Sequence, residues 1–551
     1  MKISINQLYQ LAVTAQKQGQ WEKVIQLLQP LLEAVPNHAK ALQLMGLAKS
    51  TQHDHQAAEE YVLKSIRISE NQYNLNILGL IYLRQGRILK AIENYKKALV
   101  YDNKSSEIYN NLAQSNLLIG NSYDAINYYQ VALSIRKDAL IISNYLLCLN
   151  YVSFLSQEQI FKAHIQYTKF FSEKPRYECN KNVTQRKIRI GYVSSHFCQN
   201  PIRFFFLPVL RNLDQKNFIV CCYSDTPKED EITDQMKGYV SEWVRTIHMS
   251  HDELASRIHH DNIDILVDLS GHVSCNRLPV FAKQPAKIQI TWLGYPNTTG
   301  LSSINYRFTD PIADPPENDV YYSEQLIRLT PCFLSYQPQE NSPEVSSLPA
   351  DHTNVITLGS FNNLAKMNDT VIKLWSDILN ALPNTRLLLK ANPLSDTKVQ
   401  AYVINKFRSH GVENEIRCMG FIKEMQSHLA MYHQVDLALD PFPYNGTTTT
   451  CDALWMGVPV LTRCGQMHAS RVGASILSCV GVNDFIAYSD ADYVSKVIYL
   501  CQHIDILRNI RKNLRCLCLQ SALMDGARFT RLVENIYRHL ASNDNQNFKK
   551  I

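Results

Sequence analysis

Apolar and small residues fall on a fixed register along the first quarter of the chain. Ala12, Gly46, Gly79 and Ala113 stand 34, 33 and 34 positions apart, each directly after an apolar residue in a helical pattern. Gly19, His53, Gly86 and Gly120 repeat that spacing, and so do Val24, Ala58, Ala91 and Ala125. Three columns in phase predict about four copies of one unit over residues 6–138: a helix, a tight turn at the Gly column, and an antiparallel helix crossing the first where the residues are small. Residues 139–185 stay helical in pattern but lose the phase, which suits a helical connector. The period then shortens. Lys187–Val193, Phe218–Tyr223 and Ile263–Leu269 read as strands separated by helical stretches, predicting a parallel α/β layer over 186–338. The polar, proline-bearing stretch Gln337–Asn354 breaks the pattern, placing a linker at 339–354. A second α/β run, 355–541, carries strands at Val355–Leu358, Arg386–Lys390, Ile416–Met419, Val435–Leu439 and Val458–Thr462, ahead of a tail at 542–551. Two such layers joined by a linker enclose a cleft, and ligands of open parallel sheets sit at the strands' carboxyl ends.

Composition narrows this picture without changing it. With 45% hydrophobic and 19% charged residues in 551, the chain supports large buried cores. A formal charge of +6 over that length is too dilute to suggest nucleic-acid binding. The 14 cysteines are scattered with no C-x-x-C pair, so they read as reduced thiols of a cytoplasmic protein. The N-terminal residues lack a signal-peptide core, and the longest strongly apolar stretch, Phe204–Leu210, is far short of the roughly 18–20 residues of a spanning helix.

The candidate chemistry lies in loops that follow strands. Asp440-Pro-Phe-Pro-Tyr-Asn-Gly-Thr-Thr-Thr-Thr-Cys-Asp452 runs from a strand through a loop into a helix. A helix N-terminus with the Thr447–Thr450 hydroxyls suits a diphosphate, and the Asp452 carboxylate suits ribose hydroxyls. The same spacing also fits a capping box between Thr449 and Asp452. Arg463–Gly473 brings His468 and Arg471 to another helix start, as ligand groups or as a satisfied turn. Gly359–Lys366 places Asn362, Asn363 and Lys366 at a strand's carboxyl end, where the lysine is either a counter-charge for a leaving diphosphate or simply solvated. Asp268-Leu-Ser-Gly-His272, followed by Arg277, offers a histidine that reads as general base, hydrogen-bond donor or satisfied turn residue.

The repeat resembles the tetratricopeptide repeat, whose stacked copies form a superhelix with a concave docking face. The loops above, together with Pro285–Gly300 and Asp310–Pro316, resemble the O-linked N-acetylglucosamine transferase and SPINDLY family of glycosyltransferases over about residues 187–540. That resemblance implies a tetratricopeptide superhelix ahead of a two-lobed GT-B fold, and an inverting transfer with neither metal nor cofactor. It implies a nucleotide-sugar donor, UDP-N-acetylglucosamine or the GDP-fucose used by plant SPINDLY members, and Ser or Thr of proteins docked on the repeats as acceptors. Lys366 matches the family's essential lysine at the diphosphate, and Asn363 a neighbouring donor contact. His428 matches a histidine near the nucleobase, Thr447, Thr448 and Thr449 the phosphate loop, and Asp452 the ribose contact. His468 and Arg471 join this donor-binding set, while His272 and Arg277 fall in a shared G-H-x-x-x-x-R pattern, His272 as a catalytic candidate and Arg277 on the acceptor side. One loop departs from the family. Ser195-His-Phe-Cys-Gln-Asn-Pro201 has His196 where an Asp is usual and Asn200 where the family has a candidate base. An amide is no base near neutral pH, so His196 takes over, the base lies elsewhere, or activity is altered.

Overall fold

The computed structural model describes residues 4–171, 177 and 186–542. The end of the expected connector (172–185, apart from 177) and the tail from 543 onward lie outside them.

Four antiparallel helix pairs open the fold: Ile5–Lys17 with Trp21–Ala34, Ala39–Thr51 with His55–Ile68, Gln72–Arg84 with Ile88–Tyr101, and Ser106–Leu118 with Ser122–Ile135. The turn column has the left-handed backbone that ends a helix tightly, with φ of 69° at Gly19, 64° at His53, 76° at Gly86 and 83° at Gly120. The small-residue column marks close crossing: a Cβ on Gly79 would lie 2.5 Å from the Tyr95 ring. Side chains cap several of these helices, among them Ser4, Asp54, Asn71 and Ser105.

Two parallel sheets follow. The first contains β1 (Ile188–Ser194), β2 (Phe218–Ser224), β3 (Glu242–Arg245), β4 (Ile265–Asp268), β5 (Ile288–Thr291), β6 (Tyr306–Thr309) and β7 (Gln325–Arg328), in the order β3-β2-β1-β4-β5-β6-β7. The second contains β8 (Ile356–Ser360), β9 (Thr385–Lys390), β10 (Glu415–Met419), β11 (Leu437–Leu439), β12 (Val460–Arg463) and β13 (Ile486–Ala487), in the order β10-β9-β8-β11-β12-β13. Both are doubly wound. Strand order reverses between β1 and β4, and again between β8 and β11, so each lobe has its crevice there. The pattern along the chain misses β3, β5, β6, β7 and β13, which span two to four residues.

The linker is held rather than loose. Arg515 donates to the Pro343 carbonyl at 2.6 Å and Arg511 to that of Ser346 at 2.9 Å, and Ala350–Thr353 forms a short helix. The final helix, Gly526–Ala541, corrects an expected boundary: it leaves the second lobe and covers the first. Phe529 stacks on Trp292, Tyr537 and Tyr192 share a hydroxyl contact of 3.1 Å, and Glu534 accepts from the Asp214 N–H at 2.7 Å.

The helical segment is packed against both lobes. A Cβ on Gly120 would sit 2.4 Å from the Met367 carbonyl, and Asn121 accepts from Tyr402 and Lys406. The connector helices Ala139–Cys148 and Gln157–Thr168 dock on the first lobe, where Asn150 and His164 meet the Tyr295 hydroxyl and Thr168 donates to the Gly300 carbonyl. Asn368 ties the Tyr151 carbonyl to that of Phe442.

Candidate active site

The two crevices face each other across a cleft of about 300 Å³. Its walls include His196, Asn200 and Leu293 from the first lobe and Tyr444, Thr447, Thr448 and His468 from the second. Leu293 has φ 68°, a left-handed backbone that a branched apolar residue rarely adopts and that concentrates at functional sites.

Asp440, at the end of β11, organises the floor. Its buried carboxylate accepts from the Gly446 N–H at 2.6 Å and the Thr462 hydroxyl at 2.6 Å. Burial pushes that carboxyl well up from its usual range, against hydrogen bonds and the charge of Lys366 that pull it down. Asn445 joins two loops: its N–H donates to the Ala469 carbonyl, and its side chain to that of Pro441. The phosphate-loop candidate and the His468 loop are thereby one unit.

The helix Thr448–Trp455 begins in the cleft with Thr447 as its N-cap, and no side chain caps it. Its first N–H groups and the positive end of its dipole are therefore available to an anion. The capping box fails here, because the Thr449 hydroxyl donates to Asn362 Oδ1 at 2.9 Å and Asp452 is engaged elsewhere. The buried Thr450 hydroxyl has no hydrogen-bond partner among the described residues. Beside this helix start, Lys366 Nζ donates to the Asn445 carbonyl at 2.7 Å and lies 4.3 Å from the centre of the Tyr444 ring. Burial lowers its affinity for the proton, Asp440 opposes that, and an arriving polyanion would favour the charged form.

A second polar chain lies deeper. Asp452 accepts from the Tyr336 hydroxyl at 2.6 Å and stands 3.9 Å from His428 Nε2. Burial pushes its carboxyl up to about 7. His428 Nδ1 is 2.7 Å from Lys390 Nζ, and burial followed by the lysine's charge pushes the imidazole down to about 4. An ammonium only donates, so Nδ1 accepts and Nε2 carries the hydrogen. His428 thus presents a donor.

His468 has the opposite arrangement. Its Nδ1 donates to Asp314 Oδ2 at 2.6 Å, across the lobe boundary. Asp314 also accepts from Tyr322 at 2.7 Å and from Thr309. Burial alone would raise this carboxyl, but His468, Arg307 and the hydroxyl of Thr309 hold it below the usual range.

Three expected site residues stand off the cleft. His272 is fully buried against the connector, with Nδ1 on Ser143 at 3.1 Å and Nε2 on the Thr299 carbonyl at 2.8 Å. Burial pushes it down to about 3, so it is a packed core histidine with no route to substrate, and its catalytic candidacy falls. Arg277 clamps Asp225 through two nitrogens, at 2.9 and 2.6 Å, and is no acceptor-side group. Arg471 is engaged by the carbonyls of Ile312 and Gly465, bridging the lobes rather than presenting a free charge to a donor. Asn363 is exposed, with Oδ1 accepting from the Ala365 N–H. His196 lines the cleft, its Nδ1 3.3 Å from the Ser195 hydroxyl, and burial lowers its basicity. Asn200 lines it too, with Oδ1 accepting from the Ile202 N–H. Missing from the motif reading were Asp440, Asn445, Tyr444, Lys390, Tyr336 and Asp314. Asp440, Tyr444 and Asn445 had a signal in the run that leads into the threonine loop, and Asp314 in the run Asp310–Pro316, whereas Lys390 and Tyr336 had none.

A family model described as glycosyl transferase family 41 matches residues 162–339 and 342–533, and a TPR-repeat model matches 79–120. Proteins from Solanum lycopersicum and Oryza sativa subsp. japonica, each named probable UDP-N-acetylglucosamine–peptide N-acetylglucosaminyltransferase SPINDLY, are 37% identical over 405 and 424 residues. Those alignments take in 72% and 75% of this chain but 44% and 46% of the relatives, so the chain spans about half the length of the curated relatives it matches. A solved structure, a lysine-to-methionine mutant of Thermobaculum terrenum O-GlcNAc transferase, superposes with a TM-score of 0.85 at 29% identity, covering 92% of this chain and 98% of that one.

Proposed function

The chain belongs to glycosyl transferase family 41, and from that premise we propose that it moves N-acetylglucosamine from UDP-N-acetylglucosamine to Ser or Thr hydroxyls of proteins held by the repeats. The observation that carries this reading is the uncapped start of helix Thr448–Trp455 beside Lys366, set in the cleft between the lobes. A diphosphate there meets helix N–H groups, threonine hydroxyls and one ammonium. These stabilise the negative charge that grows as the glycosidic bond breaks, so transfer proceeds without a metal or cofactor. Asp452 accepts from the ribose, and His428 Nε2–H faces an acceptor atom of the nucleobase. The acceptor hydroxyl enters from the first-lobe wall, where His196 and Asn200 stand, and displaces the diphosphate with inversion. The relatives' printed names give N-acetylglucosamine as their sugar, while their place in the SPINDLY branch keeps GDP-fucose as the alternative donor.

A thermal-shift screen of UDP, GDP, UDP-N-acetylglucosamine, UDP-glucose and GDP-fucose tests this, since a ligand at 100 times its Kd adds about 2.7 kcal/mol to stability. UDP and its N-acetylglucosamine conjugate should raise the melting temperature, and label from that donor should appear on protein Ser or Thr with EDTA present. A response to the guanine compounds alone would move the assignment to protein fucosylation. No response to any of them would defeat the donor reading.

A further inference from the structure

Displacement of a diphosphate by a hydroxyl needs a group to take the hydroxyl proton, and Asn200 cannot supply it. Two imidazoles line the cleft, His196 and His468. They differ in what holds them. His196 contacts the Ser195 hydroxyl at 3.3 Å and, among the described residues, no carboxylate. His468 donates from Nδ1 to Asp314 at 2.6 Å, and Asp314 is fixed in turn by Tyr322 and Thr309. Phe333 packs edge-on against the ring at 4.9 Å and locks its orientation. A carboxylate on Nδ1 leaves Nε2 as the lone-pair atom and stabilises the imidazolium once that atom is protonated.

We propose that His468 is the general base of the transfer and that Asp314 is its positioning residue. The proposal rests on the glycosyltransferase reading above and names a role for a residue first grouped with the donor contacts. As the Ser or Thr oxygen bonds to the anomeric carbon, its proton passes to His468 Nε2. The bond from that carbon to the diphosphate oxygen breaks, and the electron pair leaves with the nucleoside diphosphate. The proton is then lost to solvent. The dyad is split between the lobes, His468 following β12 and Asp314 following β6, so the base is correctly oriented only while the two lobes are seated together. Arg471 and Asn318 reinforce that seating through the carbonyls of Ile312 and Gln466. The other charged group acting on Asp314 is Arg307, which is engaged by the carbonyls of Asn297 and Tyr295.

The test uses the full chain, UDP-N-acetylglucosamine and GDP-fucose as donors, and a Ser/Thr peptide library as acceptor. His468→Gln should bind donor in the thermal-shift assay as the wild type does, yet lose about 10²–10⁴-fold in kcat, the range for removing a general base. It should also lose the rising acid limb of the kcat–pH profile. Asp314→Asn should retain donor binding, lower kcat and displace that limb, because an amide no longer enforces the tautomer. His468→Ala with added imidazole should recover part of the rate. If the variants fail to fold, diethyl pyrocarbonate on the wild-type chain should carbethoxylate His468 in step with loss of transfer while donor binding persists. Near wild-type kcat in His468→Gln, or a loss confined to donor affinity, overturns the assignment. The same acid limb vanishing in His196→Gln instead moves the base to the first lobe. Absence of transfer by the wild-type chain from either donor defeats the underlying reading, and this one with it.

Discussion

At the scale of single residues, two ionisable groups behind the cleft wall are set against their own burial. Lys366 is held among the Asn445 carbonyl and the Tyr444 ring, where desolvation disfavours its charge. A diphosphate that gains charge during bond breaking recovers more from this ammonium in the transition state than in the ground state. Lys366→Ala should therefore lower kcat by at least about 10²-fold while changing donor affinity much less, the scale seen when one oriented oxyanion donor is removed. Near wild-type turnover at saturating donor would take Lys366 out of the chemistry. Asp452 has a pH signature. Its folded value of about 7 stands above the roughly 3.9 of an unfolded Asp. Between these values the fold keeps a proton that the unfolded chain releases, so this residue makes stability fall as pH rises from about 4 to about 7. Asp452→Asn should flatten that fall in thermal unfolding and weaken donor binding in calorimetry. An unchanged pH profile would show that the carboxyl is ionised throughout.

Elements explain how such groups come to be buried. The threonine loop is fixed from behind by Asp440 and tied sideways by Asn445, leaving the start of helix Thr448–Trp455 for an anion rather than a side-chain cap. In the repeats the second turn has His53 where its three counterparts have glycine, in the same left-handed backbone. The side chain pays a steric cost there that glycine does not. His53→Gly should raise stability by up to about 1 kcal/mol, the loss of unfolded-state restriction offsetting part of the relief. A fall in melting temperature would mean that the imidazole's contacts outweigh its backbone strain.

Across the whole molecule, the repeats and the lobes form one connected packing. Gly120 of the fourth repeat meets the loop that carries Lys366, Asn121 meets the helix Thr397–Arg408, and the connector meets the His272 and Tyr295 turns. A chain beginning at residue 139 should therefore lose cooperative unfolding and donor binding together. One beginning at residue 71, which keeps the last two repeats, should bind donor normally in the thermal-shift assay. If the repeats gather acceptors, that second chain should transfer to full-length proteins less well, by a larger factor, than to short peptides. Equal losses for both would leave the first two repeats as scaffold.

What the sequence determined by itself follows from periodicity and local chemistry. The 33- and 34-residue columns foretold the repeats and their turns, because a helix crossing and a left-handed turn each demand a small or permissive residue at one place. Long apolar runs marked β1, β2, β4 and β8 to β12, and the loops after β8, β11 and β12 held Lys366, Thr447 to Thr449 and His468. Partnership was beyond reach. Whether a buried histidine is a base or core depends on what surrounds both ring nitrogens, and for His272 those groups lie 129 residues before it and 27 after, while for His468 the carboxylate lies 154 residues away. The final helix shows an amphipathic face in its sequence, yet nothing local says which sheet it will cover. Such pairings arise only when packing brings distant segments together, so tertiary structure alone separated His468 on the cleft wall and Lys366 beside Tyr444 from His272 in the core and Arg277 clamped on Asp225.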